Sequence, residues 1–196
     1  MFSTAVGYKL IASDLTAALE RTASQPNVER DSAYYLANIT SIKSVDDFIG
    51  NDRIFKYAMK AFGLEDMDYA KAFMRKILNE GIDDPRSFAN SLTDTRYREF
   101  AETFNFKRHT TVTTIFDRAQ QGTVDRYVRQ TLEVDAGKTN EGVRLALYFQ
   151  RKAEGVDTPF HLMADRALLK VTQVALGIPE ATGTMDIDRQ ADLITK

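Results

Sequence analysis

His109 and His161 are the only side chains in this sequence that titrate near neutral pH, and they lie in different halves of the chain. With no cysteine at all and no paired histidine spacing, the sequence offers neither a thiolate site nor a transition-metal site. The same absence rules out a disulfide framework and leaves the redox compartment open. His161 follows Phe160 near an expected helix start, where a surface or half-buried role explains it. His109 follows Lys107 and Arg108, which disfavour its protonation where they are close.

Other arrangements invite chemistry and then fail on spacing. Asp135-Ala136-Gly137-Lys138-Thr139 ends like a phosphate-binding loop, but that loop needs a glycine five positions before Gly137, and Leu132 stands there. A connector between two helices accounts for Gly137. The acidic groups Asp46/Asp47, Glu65/Asp66/Asp68 and Asp83/Asp84 lack the alternation, central glycine and closing glutamate of a calcium loop. Carboxylates gather at helix starts because they meet the positive end of the macrodipole. Asp94, Arg96 and Tyr97 are the best polar cluster for an enzyme, and a helix start with a hydrogen-bonded tyrosine explains them. No catalytic, cofactor-binding or metal-ligating residue is therefore expected, and no cofactor.

What is left is a candidate contact surface. Tyr34 and Tyr35 are adjacent, so they cannot share one helix face, and one of them is expected to be partly exposed. Lys107, Arg108 and His109 form a short basic patch. The whole chain carries 26 Lys plus Arg against 28 Asp plus Glu, for a net charge of −2. That balance gives no electrostatic case for nucleic acid or an anionic membrane. No apolar run approaches the roughly 18 to 20 residues of a membrane span. Lys9, the short apolar stretch Leu10–Ala12 and Asp14 do not make a cleavable signal peptide, so a cytoplasmic location or export by a route without one is expected.

The elements that position these residues read as helices. An arm, residues 1–29, is expected to carry one amphipathic helix through Leu10, Ile11, Leu15, Ala18 and Leu19, with a connector over Thr22–Glu29. Residues 30–196 are expected to form a single helical domain. Ser44 begins a capping box with Asp47. Ile54, Phe55, Ala58, Met59 and Phe62 share a face that Gly63 closes; Phe73, Met74, Ile77 and Leu78 repeat it before Gly81. Asp84-Pro85 has the form of a cap before a first-turn proline, and Asp94 starts another helix, with Arg98 paired to Asp94 and Glu102. Thr123 and Thr139 are expected caps, the second for a helix buried all round through Val143, Leu145, Ala146, Leu147 and Phe149. Thr158-Pro159 starts one more. Leu168, Val171, Val174, Ala175 and Ile178 are expected on an inner face that ends at Gly177, and a last helix begins near Asp186. The β-branched run Thr110–Thr114 resists helix and suggests a loop or a small two-stranded element near Val112. The expected fold is all-α, with about seven to nine short helices.

Several of these short motifs recur together in a known family. Tyr34-Tyr35 with Asn38-Ile39, Asp52-Arg53 before Ala61-Phe62-Gly63-Leu64, and Ser87-Phe88-Ala89-Asn90 with Asp94, Arg96 and Tyr97 form the first part. Phe104-Asn105-Phe106, Asn140–Arg144 with Ala146-Leu147-Tyr148-Phe149, and Ala175-Leu176-Gly177-Ile178-Pro179 complete it. As a set, over about Asp31 to Lys196, they resemble the bacterial family called domain of unknown function 1217. Its members often occur near flagellar genes in alphaproteobacteria. The resemblance implies a mainly helical, non-enzymatic protein linked to flagellum assembly, whose partner is another protein. It implies no catalytic residues. The alternative expectation is a cytoplasmic regulator or export chaperone that binds a helical partner. Where the family carries glycine or acidic residues after Phe106, this chain has Lys107-Arg108-His109.

Overall fold

The computed structural model describes residues 3–195, and all regular structure among them is helical. The chain folds into two compact units: Thr16–Leu132, and Met1–Leu15 with Glu133–Lys196. The expected division at residues 29/30 is not where these units part. Residues 3–29 hold two complete helices rather than one: α1 (Thr4–Ala12) and α2 (Leu15–Ala23). The expected connector is short, because Pro26 occupies the first turn of α3 (Pro26–Ile39), where its missing N–H costs nothing.

The larger unit continues with α4 (Val45–Gly50), α5 (Asp52–Ala61), α6 (Lys71–Glu80), α7 (Phe88–Ser91), α8 (Thr95–Thr103), α9 (Phe106–His109) and the first part of α10 (Gln121–Thr139). Its core is aromatic. Phe48 lies 4.7 Å from Phe104 and 6.0 Å from Phe55, and Phe62 meets Phe100 edge to face at 5.3 Å. Tyr57 is stacked between Tyr35 at 4.5 Å and Tyr127 at 3.9 Å. Val28, Ile39, Ile54, Met59, Leu64, Met74, Ile77 and Leu78 fill the space around the rings and are buried. The caps follow the sequence at several points. Ser44 Oγ accepts from the Asp47 N–H at 3.1 Å, and Asp47 returns the bond by accepting from the Lys43 N–H at 3.1 Å. Gly63 and Gly81, at φ of +69° and +65°, end α5 and α6 where a side chain would be strained.

The smaller unit holds α1, the end of α10, α11 (Glu141–Lys152), α12 (Pro159–Ala164), α13 (Arg166–Leu176) and α14 (Ile187–Thr195). α1 packs on α11 at a crossing of small residues. A Cβ on Gly7 would stand 2.8 Å from Val143 Cγ2, and one on Gly142 would stand 2.5 Å from Thr4 Oγ1.

Several expectations need correction. The described helices exceed seven to nine, because α4, α7, α9 and α12 are only four to six residues each and end at their own caps. No strand forms near Val112: Thr110–Ile115 is a 3-10 helix, whose hydroxyls serve as hydrogen-bond donors instead. Asp84-Pro85 makes a turn, with Asp84 accepting from the Arg86 N–H at 2.8 Å, and the helix that follows begins at Phe88. Gly137 lies inside α10 rather than in a connector; α10 runs on to Thr139, and Asn140 rather than Thr139 caps α11, accepting from the Gly142 N–H at 2.9 Å. α11 is also less buried than expected. Val143 and Leu147 are its buried residues, while Leu145, Ala146 and Phe149 are half-buried.

Candidate contact surface

The basic triplet sits on α9, which Asn105 caps by accepting from the Arg108 N–H at 3.0 Å. Lys107 is exposed. Arg108 forks onto Asp83, with Nε donating to Oδ2 at 3.0 Å. That pairing holds the Asp83 carboxyl below the usual carboxylate range. His109 is half-buried, and its ring meets Phe116 edge to face at 4.8 Å. Burial first, and then the nearby Arg118 and Arg108, push its pKa down. His109 Nε2 is shielded from solvent and has no hydrogen-bond partner.

After α9 the backbone takes an expensive turn. Thr110 has φ +49° and ψ −125°, a conformation that a β-branched residue rarely adopts. Strain of this kind costs on the order of 1–3 kcal/mol and persists only where the surroundings hold it. Here they do. Thr113 Oγ1 donates to the Thr110 carbonyl at 2.8 Å, and Thr114 Oγ1 donates to the Ile42 carbonyl at 2.8 Å. Gln120 Nε2 donates to the Thr114 carbonyl at 3.0 Å, and Thr123 Oγ1 donates to the Arg118 carbonyl at 3.0 Å. From below, the buried Tyr35 hydroxyl donates to the Ala119 carbonyl at 2.7 Å. Residues 110–119 are thus pinned by side-chain donors, since a 3-10 path leaves carbonyls that the backbone does not satisfy.

The pinned segment turns Val112, Ile115 and Phe116 outward, with Ile115 54% exposed. Arg118 lies over the Phe116 ring at 5.0 Å. The result is an apolar knob with a basic margin, built on a rigid base.

Of the residues singled out from the sequence, Lys107, Arg108 and His109 lie at this surface. Tyr35 lies beneath it as a buried anchor, and its burial raises its pKa. Tyr34 is elsewhere on α3, half-buried under the Arg53 guanidinium at 3.7 Å. Thr110, Ile115, Phe116 and Arg118 were not singled out. The available signal was a β-branched run ending in Ile115-Phe116 with no helical period. Asp94 and Arg96 pair with each other at 2.6 Å, and Tyr97 is buried 5.2 Å from Phe73, so these three do not converge on a cavity. In the smaller unit, Leu169, Gln173, Ile178, Thr182, Gln190, Leu193 and Ile194 line a shallow hollow with room for about one water molecule. Small-molecule sites usually span roughly 300–1,000 Å³. Among the described residues no cluster of three or more acidic or histidine side chains is placed to hold a metal, and no helix is long and apolar enough to cross a membrane.

Comparison with known proteins places this geometry in a family. A crystal structure of a protein from Agrobacterium tumefaciens is similar at a TM-score of 0.90 and 45% sequence identity, over 98% of this chain and 81% of that one. No curated protein matches. Residues 61–196 match the family model described as protein of unknown function (DUF1217). The chain belongs to that family.

Proposed function

We propose that the protein is a non-enzymatic accessory or structural component of bacterial flagellum assembly and acts through protein–protein contacts. The observation that carries the contact reading is the knob of Val112, Ile115 and Phe116 on a pinned, strained base. A rigid apolar projection loses little conformational freedom on binding, which is the economy expected of a docking surface. Its margin of Lys107, Arg108 and Arg118 suits a partner with acidic residues around an apolar groove. The flagellar part of the proposal rests on the family likeness and on the association that likeness implies.

The test is localisation together with a surface variant. The protein is followed by immunoblot in cells, periplasm, sheared flagella and medium, with and without a working flagellar export apparatus. Appearance outside the cell only when export works supports an exported flagellar component. Retention in the cytoplasm of both strains favours the regulator or export chaperone instead. In parallel, Ile115→Asp with Phe116→Ser should leave the protein folded and reduce motility. Full motility with this variant, and with a deletion of the whole protein, would refute the flagellar proposal.

A further inference from the structure

The first helix is held lightly and by a specific fit. α1 is nine residues long, and none of them is buried. That is shorter than the roughly 12–15 residues below which an isolated helix is marginal in water, so docking on α11 is what holds it. The contact is shaped rather than broad. Thr4 lies over Gly142 and donates through Oγ1 to Asn140 Oδ1 at 3.2 Å, and Gly7 lies against the buried Val143. Asn140, Gly142 and Val143 thus form a groove that fits the edge of α1 carrying Thr4 and Gly7.

The break that follows α1 is slight. Only Ser13 and Asp14 separate α1 from α2. Neither is glycine or proline, and neither has a positive φ. Ser13 already has helical dihedrals, φ −64° and ψ −28°, and its N–H donates to the Lys9 carbonyl at 3.0 Å as in a continuing helix. The apolar pattern runs straight through: Leu10, Ile11, Leu15, Ala18 and Leu19 keep helical spacing across the break, which is why the sequence reads as one helix there. With Asp14 also helical, the Leu15 N–H would donate to the Ile11 carbonyl and the Thr16 N–H to the Ala12 carbonyl. Residues 4–23 would then form a single helix.

We propose that α1 is exchanged between two copies of the chain. The break at Ser13-Asp14 straightens, α1 becomes the first half of one long helix, and it seats in the α11 groove of the second copy, whose own α1 does the same in return. The groove itself names its occupant. What α1 fits is Asn140, Gly142 and Val143, and a second copy offers the same three residues. The exchange keeps every docking contact and adds the backbone bonds that close the break. Reciprocal exchange of an identical element closes on itself as a dimer. Against it stands the tether, which presents α1 to its own groove at roughly millimolar effective concentration. The cooperative gain of the joined helix offsets part of that advantage and sets the dimer in the upper micromolar range. The inference uses none of the knob residues and does not depend on the flagellar proposal.

The chain has no cysteine, so an introduced pair reports on this contact alone. A Cβ on Gly7 stands 4.0 Å from Val143 Cβ, inside the roughly 3.5–4.5 Å of a disulfide. Full-length Gly7→Cys and Val143→Cys proteins are mixed at upper micromolar concentration, equilibrated and oxidised. A covalent dimer linked between positions 7 and 143, identified by peptide mass spectrometry, is expected. Sedimentation velocity over a range of concentrations follows wild type, Asp14→Ala and Leu15→Pro. Wild type should pass from monomer to dimer. Asp14→Ala puts the best helix former in place of a residue that favours caps and should tighten the dimer by about tenfold. Leu15→Pro is tolerated at the first position of α2 but not inside a joined helix, and should stay monomeric with the far-UV circular dichroism of dilute wild type. A mixture without the 7–143 link, or wild type monomeric at every concentration, would overturn the proposal. So would a dimer indifferent to both Asp14→Ala and Leu15→Pro.

Discussion

Arg151 and Glu133 make a largely buried ion pair in the smaller unit, and breaking it should be costly. Glu133, on α10, has a side chain only 2% accessible; Arg151, on α11, is 25% accessible. The guanidinium binds as a fork, with Nε at 2.9 Å from Oε1 and Nη2 at 2.8 Å from Oε2. Arg151→Ala removes the fork and leaves a buried carboxylate without it. The cost of such a loss is about 3–5 kcal/mol, and the partial exposure of Arg151 argues for about 3. For a chain of this length that is a fall in Tm of roughly 6–12 °C. The assay is urea denaturation at neutral pH, followed by far-UV circular dichroism, with the midpoint and slope fitted together. The slope should hold while the midpoint drops. Arg151→Lys keeps the charge but not the fork and should fall between. Glu133→Leu with Arg151→Met removes both charges and should lie within about 1 kcal/mol of wild type, since a buried pair roughly repays its own desolvation. If Arg151→Ala costs less than about 1 kcal/mol, or the double variant is no better than the sum of the singles, the pair is not buried as described.

Four further outcomes are expected. Tyr35→Phe should destabilise by about 1–3 kcal/mol in the same denaturation assay, because the Ala119 carbonyl loses its buried donor. Thr110→Gly should do the opposite, raising stability by on the order of 1 kcal/mol as the strain at positive φ is released; a loss would show that the backbone there is unstrained. His109 has a pKa lower in the folded than in the unfolded chain, so its contribution is whole above about pH 6.5 and declines as pH falls toward the folded value. The stability of His109→Gln should accordingly lose that part of the pH slope, as read from Tm between neutral and mildly acidic buffers. Gly142→Val should separate α1 from α11, because its Cβ meets Thr4; hydrogen exchange over residues 4–12 should rise by at least about tenfold.

How much of this was legible from sequence depends on where the deciding partner lies. The caps at Ser44, Asp94 and Thr158 and the helix ends at Gly63, Gly81 and Gly177 act within a few residues of themselves, and their residue types are enough to find them. Asp84-Pro85 has the same local form but makes a turn, and the α7 cap falls on Ser87. The path of Thr110–Thr114 is not local. Its threonines have the composition of a strand, but their hydroxyls find carbonyls at Ile42, Asn105 and Thr110, and those bonds stabilise a 3-10 turn instead. Gly137 is comparable: only the approach of Arg144 and Glu141 shows that the helix continues through it and that a larger residue would be crowded.

α13 marks the limit of the periodic argument. A helical period identifies which residues share a face, and Val171, Val174 and Ala175 do share one. It does not identify what that face is turned toward. The sequence pattern assigns Leu168, Val171, Val174, Ala175 and Ile178 to the interior; Leu168 is buried, Val171 and Ile178 are half-buried, and Val174 and Ala175 are exposed. In the fold, α13 rests on α11, α12 and α14 through its other side, and Thr172 and Gln173 are buried there. An apolar face that the chain does not cover contributes none of the burial free energy that Leu168 gains on the inner side.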